Sequence, residues 1–389
     1  MLPRAHRRAA GEARPELADI FRSHGESYRK THFLSASHLK VIRAVEICRT
    51  QELGGHLKQC DTCGFEHPSY NSCRNRHCPK CQSLAKAKWL EKQTSELLPV
   101  GYFHLVFTLP HELNRSILAH KKILLAVLFK AVSETLLEFG QSHLGGTVGI
   151  IAVLHTWDQT LKDHFHLHCL IPAGALSHDH SRWIEARPNF LFPVKALSRV
   201  FRAKFLDILK HNIKRGKIPA PQIEIKTLRQ KNWIVYAKKP FGSPKIVLDY
   251  LGRYTHRVAL SNDRIIKIEN DQITLSYRDR KDGDRKKALV IDAHEFIRRF
   301  LLHILPDGFM RIRHFGFLAN RSKKHLLPQC RKLLNLDPHL PRCPIESAKD
   351  LMLKITGVDL SRCPYCNNGT MIVVAELPPV SSLPRWDSS

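Results

Sequence analysis

Acidic side chains are scarce in this sequence. Its 389 residues include 35 Asp and Glu against 62 Lys and Arg, and the formal net charge is +27. The basic excess extends along the whole chain instead of along one amphipathic helix. This pattern favours a nucleic acid as the polyanionic partner over a membrane surface or an effect on solubility alone.

Long apolar runs are also lacking. We find no stretch of roughly eighteen apolar residues, so we expect no transmembrane helix and no membrane partner. Residues 1–14 are basic and lack the apolar stretch of a secretory signal, which predicts a flexible basic arm. Without an export signal, the 11 cysteines argue against a disulfide framework and for metal binding in a reducing, cytoplasmic compartment.

Four of the cysteines form two Cys-x-x-Cys pairs, Cys60 with Cys63 and Cys78 with Cys81, with fourteen residues between the pairs. A structural zinc ion needs four soft ligands in a tetrahedron, and two turns that each present two thiolates supply them. The spacing therefore predicts one structural zinc site built from these four residues. We expect this module to bind DNA and to have no catalytic role, because four thiolates leave no open position for water.

The loop between the two pairs is crowded with polar side chains. Cys73 and two histidines lie in this loop, and the alternative is a zinc site in which one of them replaces one of the four cysteines. Arg74 and Arg76 are candidates for contacts with phosphate, and the alternative is a solvated turn.

A further pair, Cys363 and Cys366, has no second pair near it in the sequence. Cys330, Cys343 and His339 are candidates to complete a second zinc site, and the alternative is a small turn that binds no metal.

The middle of the chain alternates between strand and helix patterns. The predicted elements, in chain order, are a strand at 102–109, a helix at 123–139, strands at 149–157 and 165–171, a helix at 193–210 and a strand at 233–237. This β-α-β-β-α-β order predicts an α+β class and a ferredoxin-like split βαβ domain. In that topology the third strand lies beside the first, in the middle of the sheet.

Composition and pattern divide the chain into five segments. They are the basic arm (1–14), a helical and zinc-binding segment (15–98), the split βαβ domain (99–260), an α+β extension (261–345), and a last segment with the lone cysteine pair and a Pro- and Ser-rich, disordered tail (346–389).

Histidines alternate along the third strand of this domain. His166 and His168 share one face, because side chains two residues apart in a strand point the same way. Two imidazoles on one face can hold a divalent metal ion. The third ligand stays open, with His155 on the preceding strand and His104 on the first strand as the main candidates.

Two tyrosines follow at helical spacing. Tyr250 and Tyr254 lie on one face of a helix that Ser243-Pro244 is expected to open. Arg253 and Arg257 are close in sequence and are candidates for holding phosphate. A phenol beside a metal site can attack a phosphodiester and form a covalent intermediate, whereas ordinary helix packing would be the explanation without the histidines.

Several stretches resemble the insertion-sequence-91 family, the two-tyrosine rolling-circle transposases of the HUH endonuclease superfamily. The resemblance covers roughly residues 15–325. It is carried by Cys48-Arg49-Thr50, Gly54-Gly55-His56, Asn71 to Cys81, Tyr102-Phe103-His104, Phe107 to His111, His155-Thr156-Trp157, His166-Leu167-His168 and Tyr250 to Arg257. One departure is Phe165, where the family pattern has proline.

The resemblance implies a prokaryotic, nucleoid-associated enzyme that nicks and rejoins single-stranded DNA at element ends. It implies 5′-phosphotyrosine intermediates on Tyr250 and Tyr254 and a need for Mg²⁺ or Mn²⁺. The alternatives are a plasmid replication initiator or relaxase with the same chemistry, a non-catalytic zinc DNA-binding regulator, and a histidine-metal hydrolase that releases free phosphate.

Overall fold

A computed structural model describes residues 14–221, 224–241, 246, 252, 260–279, 282–339 and 347–380. The protein is a mixed α+β chain with four sheets among these residues. No helix in the described ranges combines the length and the apolar content needed to cross a membrane.

Two helices and a small zinc-binding segment come first. Their elements are α1 (Leu17–Thr31), α2 (Ala36–Glu46), β1 (Gly55–Cys60), β2 (Glu66–Tyr70) and α3 (Pro79–Glu96). Ser35 caps α2, since its hydroxyl accepts the His38 backbone N–H. Helix α3 begins at Pro79, because Cys78 occupies the N-cap position and proline suits the first helical turn.

The central domain follows the predicted order with a few additions. Its elements are β3 (Tyr102–Thr108), α4 (Asn114–Ala119), α5 (Lys121–Phe139), β4 (Gly146–Thr147), β5 (Gly149–Trp157), β6 (Asp163–Pro172), β7 (Gly174–Ser177), β8 (Trp183–Glu185), α6 (Val194–Lys214), α7 (Ile225–Gln230) and β9 (Val235–Phe241). The predicted helix that Ser243-Pro244 would open lies outside the described residues.

The extension adds β10 (Ile265–Glu269), β11 (Gln272–Asp279), β12 (Arg285–Asp292), α8 (Ala293–Leu302), β13 (Ile312–Gly316), α9 (Asn320–Leu333), α10 (Ala348–Thr356) and β14 (Met371–Leu377). Strands β10, β11 and β12 form a sheet in sequence order. Asp292 caps α8, because its carboxylate accepts the Glu295 backbone N–H.

The main sheet has five antiparallel strands in the order β13-β5-β6-β3-β9. The third strand of the central domain, β6, pairs with the first, β3, along the register Thr108 to His166 and Val106 to His168. This neighbourhood confirms the predicted placement of the histidine strand inside the sheet. The sequence did not predict β13, which extends the sheet beyond β5.

The two faces of the sheet are covered by different elements. Phe165, Leu167 and Cys169 of β6 point into a core with α5 and α6. The alternate residues point the other way, where Leu170 packs in a second core with Leu90 of α3 and Leu327 of α9. The strand period of two thus places the histidines on the α3 side of the sheet.

Two of the predicted segments pack with parts of the chain that are distant in sequence. Helices α1 and α2 share a core with β11 and α8, where the Phe21 and Phe300 rings meet edge to face at 5.6 Å, so segments 15–98 and 261–345 are not separate. Strand β14 pairs with β1, and segment 346–389 therefore belongs in part to the zinc-binding segment. Burial of apolar surface stabilises the shared core, and the open edge of β1 accepts β14. Neither contact can be predicted from local sequence.

Candidate active site and metal centres

Eight of the ten described cysteines form two groups of four, and neither group is the predicted one. The first cysteine cluster is Cys48, Cys73, Cys78 and Cys81, and the second cysteine cluster is Cys60, Cys63, Cys363 and Cys366. The prediction of one site from Cys60, Cys63, Cys78 and Cys81 is therefore wrong in its grouping. The two pairs separate because β1 and β2 carry Cys60 and Cys63 toward β14, whereas Cys78 and Cys81 begin α3.

The first cysteine cluster joins the end of α2 to the start of α3. The Cys81 sulfur lies 3.6 Å from the sulfur of Cys48 and 3.6 Å from that of Cys73. Thiols of Cys48, Cys73 and Cys78 that donate to Cys81 lower its pKa, which favours the thiolate that a metal needs.

The second cysteine cluster consists of two matching turns. In one, the Cys60 sulfur accepts the backbone N–H groups of Thr62 (3.4 Å) and Cys63 (3.5 Å). In the other, the Cys363 sulfur accepts those of Tyr365 (3.4 Å) and Cys366 (3.5 Å). Such N–H donors stabilise a thiolate, and the same geometry at both turns is what a four-thiolate metal site requires.

Backbone N–H groups also stabilise the thiolate form of Cys366. The Gly369 N–H lies 3.3 Å from its sulfur, and the N–H groups of Gly369 and Asn368 lower its pKa to about 6. Gly369 itself passes close to the cluster, since a Cβ built there would lie 2.2 Å from the Cys60 sulfur. A residue without a side chain is therefore required at this position.

The sulfur separations fit zinc in both clusters. In the second, Cys60 lies 3.7 Å from Cys366 and Cys63 lies 3.7 Å from Cys363. Zinc–sulfur bonds of about 2.3 Å in a tetrahedron place the sulfurs roughly 3.8 Å apart, whereas a disulfide needs about 2.05 Å. The two clusters thus have the donor set and the spacing of structural zinc sites. The predicted candidates Cys330 and His339 are not members of either cluster, and Cys343 lies outside the described residues.

Three histidines form a third group on the main sheet. The histidine triad is His155 of β5 with His166 and His168 of β6, all buried, with ligand atoms within 4.8 Å of one another. His155 and His166 are direct cross-strand partners, and His166 Nε2 lies 3.1 Å from His168 Nε2. Of the two candidates for third ligand, the structure brings His155 into the group.

The outer nitrogens of two triad members are engaged. His166 Nδ1 donates to the His164 carbonyl at 2.9 Å, because a carbonyl can only accept. His168 Nδ1 lies 2.8 Å from Nε2 of His104 on β3. Both contacts leave Nε2 for the interior of the triad, which is the usual arrangement around a metal-ligating histidine. His104, the other candidate ligand, therefore supports His168 instead of joining the triad.

The donor set of the triad decides which ion suits it. Three imidazoles bind transition metals more readily than they bind Mg²⁺, which prefers oxygen ligands. Of the two divalent ions expected from the sequence, Mn²⁺ fits these residues better.

The other predicted site residues divide into two sets. Arg74 is exposed, whereas Arg76 donates from its terminal nitrogens to the carbonyls of Phe309 (2.7 Å) and Pro306 (3.2 Å). Arg76 thus ties the zinc-binding segment to the loop after α8, which is a structural role that the sequence did not indicate. Tyr250, Tyr254, Arg253 and Arg257 lie outside the described residues.

One residue of the tyrosine segment is described. Gly252 is buried against α3, where a Cβ on it would lie 2.9 Å from Leu90 Cδ1 and 2.9 Å from Lys86 Cε. Helix α3 also covers the face of the sheet that carries the triad. Gly252 therefore contacts the helix that covers this face of the sheet.

Sequence reasoning missed Cys48 as a ligand. It lies outside any Cys-x-x-Cys pair, and its burial beside Cys78 comes from the packing of α2. The available signal was the presence of two further cysteines near the first two pairs, since Cys48 and Cys73 both precede Cys78.

Comparison with known proteins agrees with these centres. A family model described as "Transposase zinc-binding domain" matches residues 20–109, and one described as "Putative transposase" matches residues 149–325. The first match contains all four cysteines of the first cluster, two cysteines of the second cluster and all of β3. The second match contains the triad.

Two relatives match over most of their length. "Putative transposase y4qJ" of Sinorhizobium fredii is 45% identical over 394 residues, which cover 96% of this chain and 99% of the relative. "Transposase for insertion sequence element IS801" of Pseudomonas savastanoi pv. phaseolicola is 28% identical over 359 residues, 86% of this chain and 84% of the relative. No solved structure matches. On these matches, together with its cysteine clusters, the chain belongs to the insertion-sequence-91 family of transposases.

Proposed function

We propose that this transposase nicks and rejoins single-stranded DNA at the ends of its element by a rolling-circle route. Tyr250 and Tyr254 are the nucleophiles and a divalent ion held by His155, His166 and His168 is the cofactor. The observation that carries the proposal is the buried triad of three imidazoles on adjacent strands of the main sheet. A zinc DNA-binding regulator has no use for such a third metal centre.

The strand order supports the same assignment. Strands β5, β6, β3 and β9 are the second, third, first and fourth strands of the central domain, which is the order of a ferredoxin-like split βαβ sheet. The two histidines of β6 then stand in the interior of an HUH-type sheet, with α5 and α6 on the opposite face.

The chemistry follows from a phenol and a phosphodiester. The tyrosine hydroxyl loses its proton and attacks phosphorus, the bond from phosphorus to the 3′ oxygen breaks, and that oxygen takes up a proton. A bound divalent ion supplies positive charge that polarises the phosphate. Because the phosphotyrosine keeps the energy of the broken bond, a free 3′ hydroxyl can reverse the step on another strand without ATP.

Two tyrosines at i and i+4 suit a reaction with two cuts. Side chains at this spacing share one helix face, so one tyrosine can retain a cut end while the other attacks. Arg253 and Arg257 are the proposed phosphate contacts beside them, and Arg74 is a further one on the zinc-binding segment.

The test is a search for a covalent adduct. Purified, zinc-loaded protein is incubated with a labelled single-stranded element end and Mn²⁺, and the products are separated under denaturing conditions. We expect a labelled protein band for the wild type and none for the Tyr250→Phe, Tyr254→Phe double variant, because only the two hydroxyls are removed. Tyr365→Phe, at an exposed position in a turn of the second cysteine cluster, is the matched control and retains the adduct.

Two outcomes contradict the proposal. An adduct in the double variant assigns the attack to another residue, with Tyr236 and Tyr277 the next to test. A nicked strand with a free 5′ phosphate and no adduct in the wild type replaces the tyrosine mechanism with hydrolysis.

A further inference from the structure

A deep cleft opens beside the histidine triad, between α3 and the segment from α8 to β13. Its volume is about 480 Å³, within the range of ligand pockets, and its walls include Trp89 and Lys92 of α3, Trp157 of β5 and Arg311 before β13. We call it the basic cleft. It is not explained by the metal centres, none of whose ligands lines it.

The charge of the basic cleft has one sign. Five lysines and arginines line it, and none of the described residues that line it is acidic. Two of the cations are already engaged, since Lys323 pairs with Glu96 at 2.7 Å and Arg76 donates to carbonyls. Arg74 and Lys92 are exposed at the edge of the cleft and remain directed toward solvent or a ligand.

Two guanidinium groups lie near each other deeper in the cleft. Burial, and then the positive charge of Arg76, lower the pKa of Arg311 to about 10. A phosphate in the cleft would relieve this repulsion, and arginine is the side chain best suited to bind one. The electrostatics therefore favour an anionic ligand.

Besides positive charge, the basic cleft offers aromatic rings on which a base can stack. Trp89 and Trp157 are both half-buried on the cleft walls. An unpaired base stacks on such a ring whatever its identity, which is how single-stranded nucleic acids are held next to cationic grooves. A paired duplex offers no free base face for such stacking.

Trp157 lines the basic cleft and also contacts the triad. The Trp157 ring stacks on the His155 ring with centroids 4.6 Å apart and also lies against His303. The triad histidines are only 4%, 8% and 6% exposed, so a DNA strand must reach them through an opening in the cover. The basic cleft lies beside this cover, with Trp157 between it and His155.

We infer that the basic cleft holds one unpaired nucleotide of the DNA strand next to the phosphate that is cut. The base stacks between Trp89 and Trp157, and its phosphates contact Arg74, Lys92 and Arg311. The ligand class is single-stranded DNA, read by stacking and charge and not by base edges. This inference rests on the proposed function for its position beside the cut.

The first experiment locates the bound base. The zinc-loaded full chain is irradiated with a thymidine oligonucleotide of about ten residues that carries one 5-iododeoxyuridine, a length suited to single-strand binding sites. Peptide mapping by mass spectrometry is expected to find the crosslink at Trp89 or Trp157. Crosslinks confined to other parts of the chain overturn the inference.

The second experiment measures the contribution of charge. Lys92→Glu is expected to weaken binding of the same oligonucleotide about tenfold at low salt and to reduce the salt dependence, because one phosphate contact becomes repulsive. Lys195→Glu makes the same charge change at an exposed site on α6, across the sheet, and retains most of the affinity. Equal losses in the two variants contradict the cleft.

The adduct assay separates this inference from the proposed function. If the wild type forms the tyrosine adduct but shows no crosslink in the cleft, the inference fails and the proposed function stands. If it crosslinks at Trp89 or Trp157 and forms no adduct, the cleft is a single-strand binding site and the proposed function fails.

Discussion

His104 Nε2 lies 2.8 Å from His168 Nδ1, and the two rings are stacked with centroids 5.1 Å apart. The contact runs between adjacent strands, β3 and β6, so it is set by the register of the main sheet. Because it occupies the outer nitrogen of His168, the inner nitrogen is directed at the triad. His104 is thus a positioning residue that acts on a bound ion through His168.

Replacing His104 tests this role. His104→Phe keeps an aromatic ring in the stack and removes the hydrogen bond, and we expect the affinity for Mn²⁺ to fall by about 10- to 100-fold, as for other residues that orient metal ligands. Isothermal titration with Mn²⁺ measures the change. His211→Phe, at an exposed site on α6, is the control. An unchanged Mn²⁺ affinity in His104→Phe would show that the contact does not orient the ligand.

The two cysteine clusters predict two structural zinc ions per chain. Cys363→Ser removes one ligand of the second cluster. We expect elemental analysis to give about one zinc per chain, because three thiolates no longer complete the tetrahedral coordination of a structural zinc ion. Cys330→Ala changes a buried cysteine that belongs to neither cluster and keeps two. One zinc in the wild type, unaffected by Cys363→Ser, would rule out the second site.

Gly369 gives a steric test of the same cluster. An added Cβ would lie 2.2 Å from the Cys60 sulfur, so Gly369→Ala is expected to release zinc from the second cluster at lower chelator concentration. Gly308→Ala meets open space but has a left-handed φ of +68°, and it costs about 1 kcal/mol of backbone strain without loss of zinc. If both variants lose zinc at the same chelator concentration, a glycine at position 369 is not needed for the close approach of the backbone to the Cys60 sulfur.

Buried His303 predicts a loss of stability in acid. Burial lowers its pKa from 6.5 to about 4, and its ring nitrogens contact the Leu161 carbonyl and Thr156 Oγ1. The unfolded chain binds this proton more readily, so the contribution is complete above about pH 6.5 and is lost as the pH falls toward 4. The shift corresponds to roughly 3 kcal/mol.

Denaturant unfolding at a series of pH values measures this loss. His303→Gln, which has no imidazole to protonate, is expected to be less stable at neutral pH and to lose less stability between about pH 6.5 and 4. Parallel pH profiles for wild type and variant would exclude His303 as the source.

Local patterns predicted the elements that carry the triad. The apolar run at 149–157 has the bounds of β5, and the alternation of Phe165, His166, Leu167 and His168 places the histidines on one face. The choice of His155 over His104 could not be predicted, because it depends on which neighbouring strand presents its histidine at the level of His166. That is a matter of register, and register is fixed by packing across the whole sheet.

The grouping of the cysteines could not be predicted for a similar reason. Two Cys-x-x-Cys pairs close in sequence are the simplest donors for one zinc, but each pair found its partners elsewhere. Cys63 meets Cys363 across 300 residues, through the pairing of β1 with β14. A strand edge that attracts a distant segment leaves no trace in local periodicity.

The long separation between the halves of the second cysteine cluster also sets an order of assembly during synthesis. Cys60 and Cys63 leave the ribosome early, and their centre cannot be completed until residue 366 has been added. A copy of the gene interrupted by a stop codon within the extension would still encode the triad and the first cluster. It would leave β1 with an open edge and two unpaired thiols, which chaperones and proteases recognise as an unfinished chain. A chain that ends before β14 thus lacks the second cysteine cluster and one strand of this small sheet at the same time.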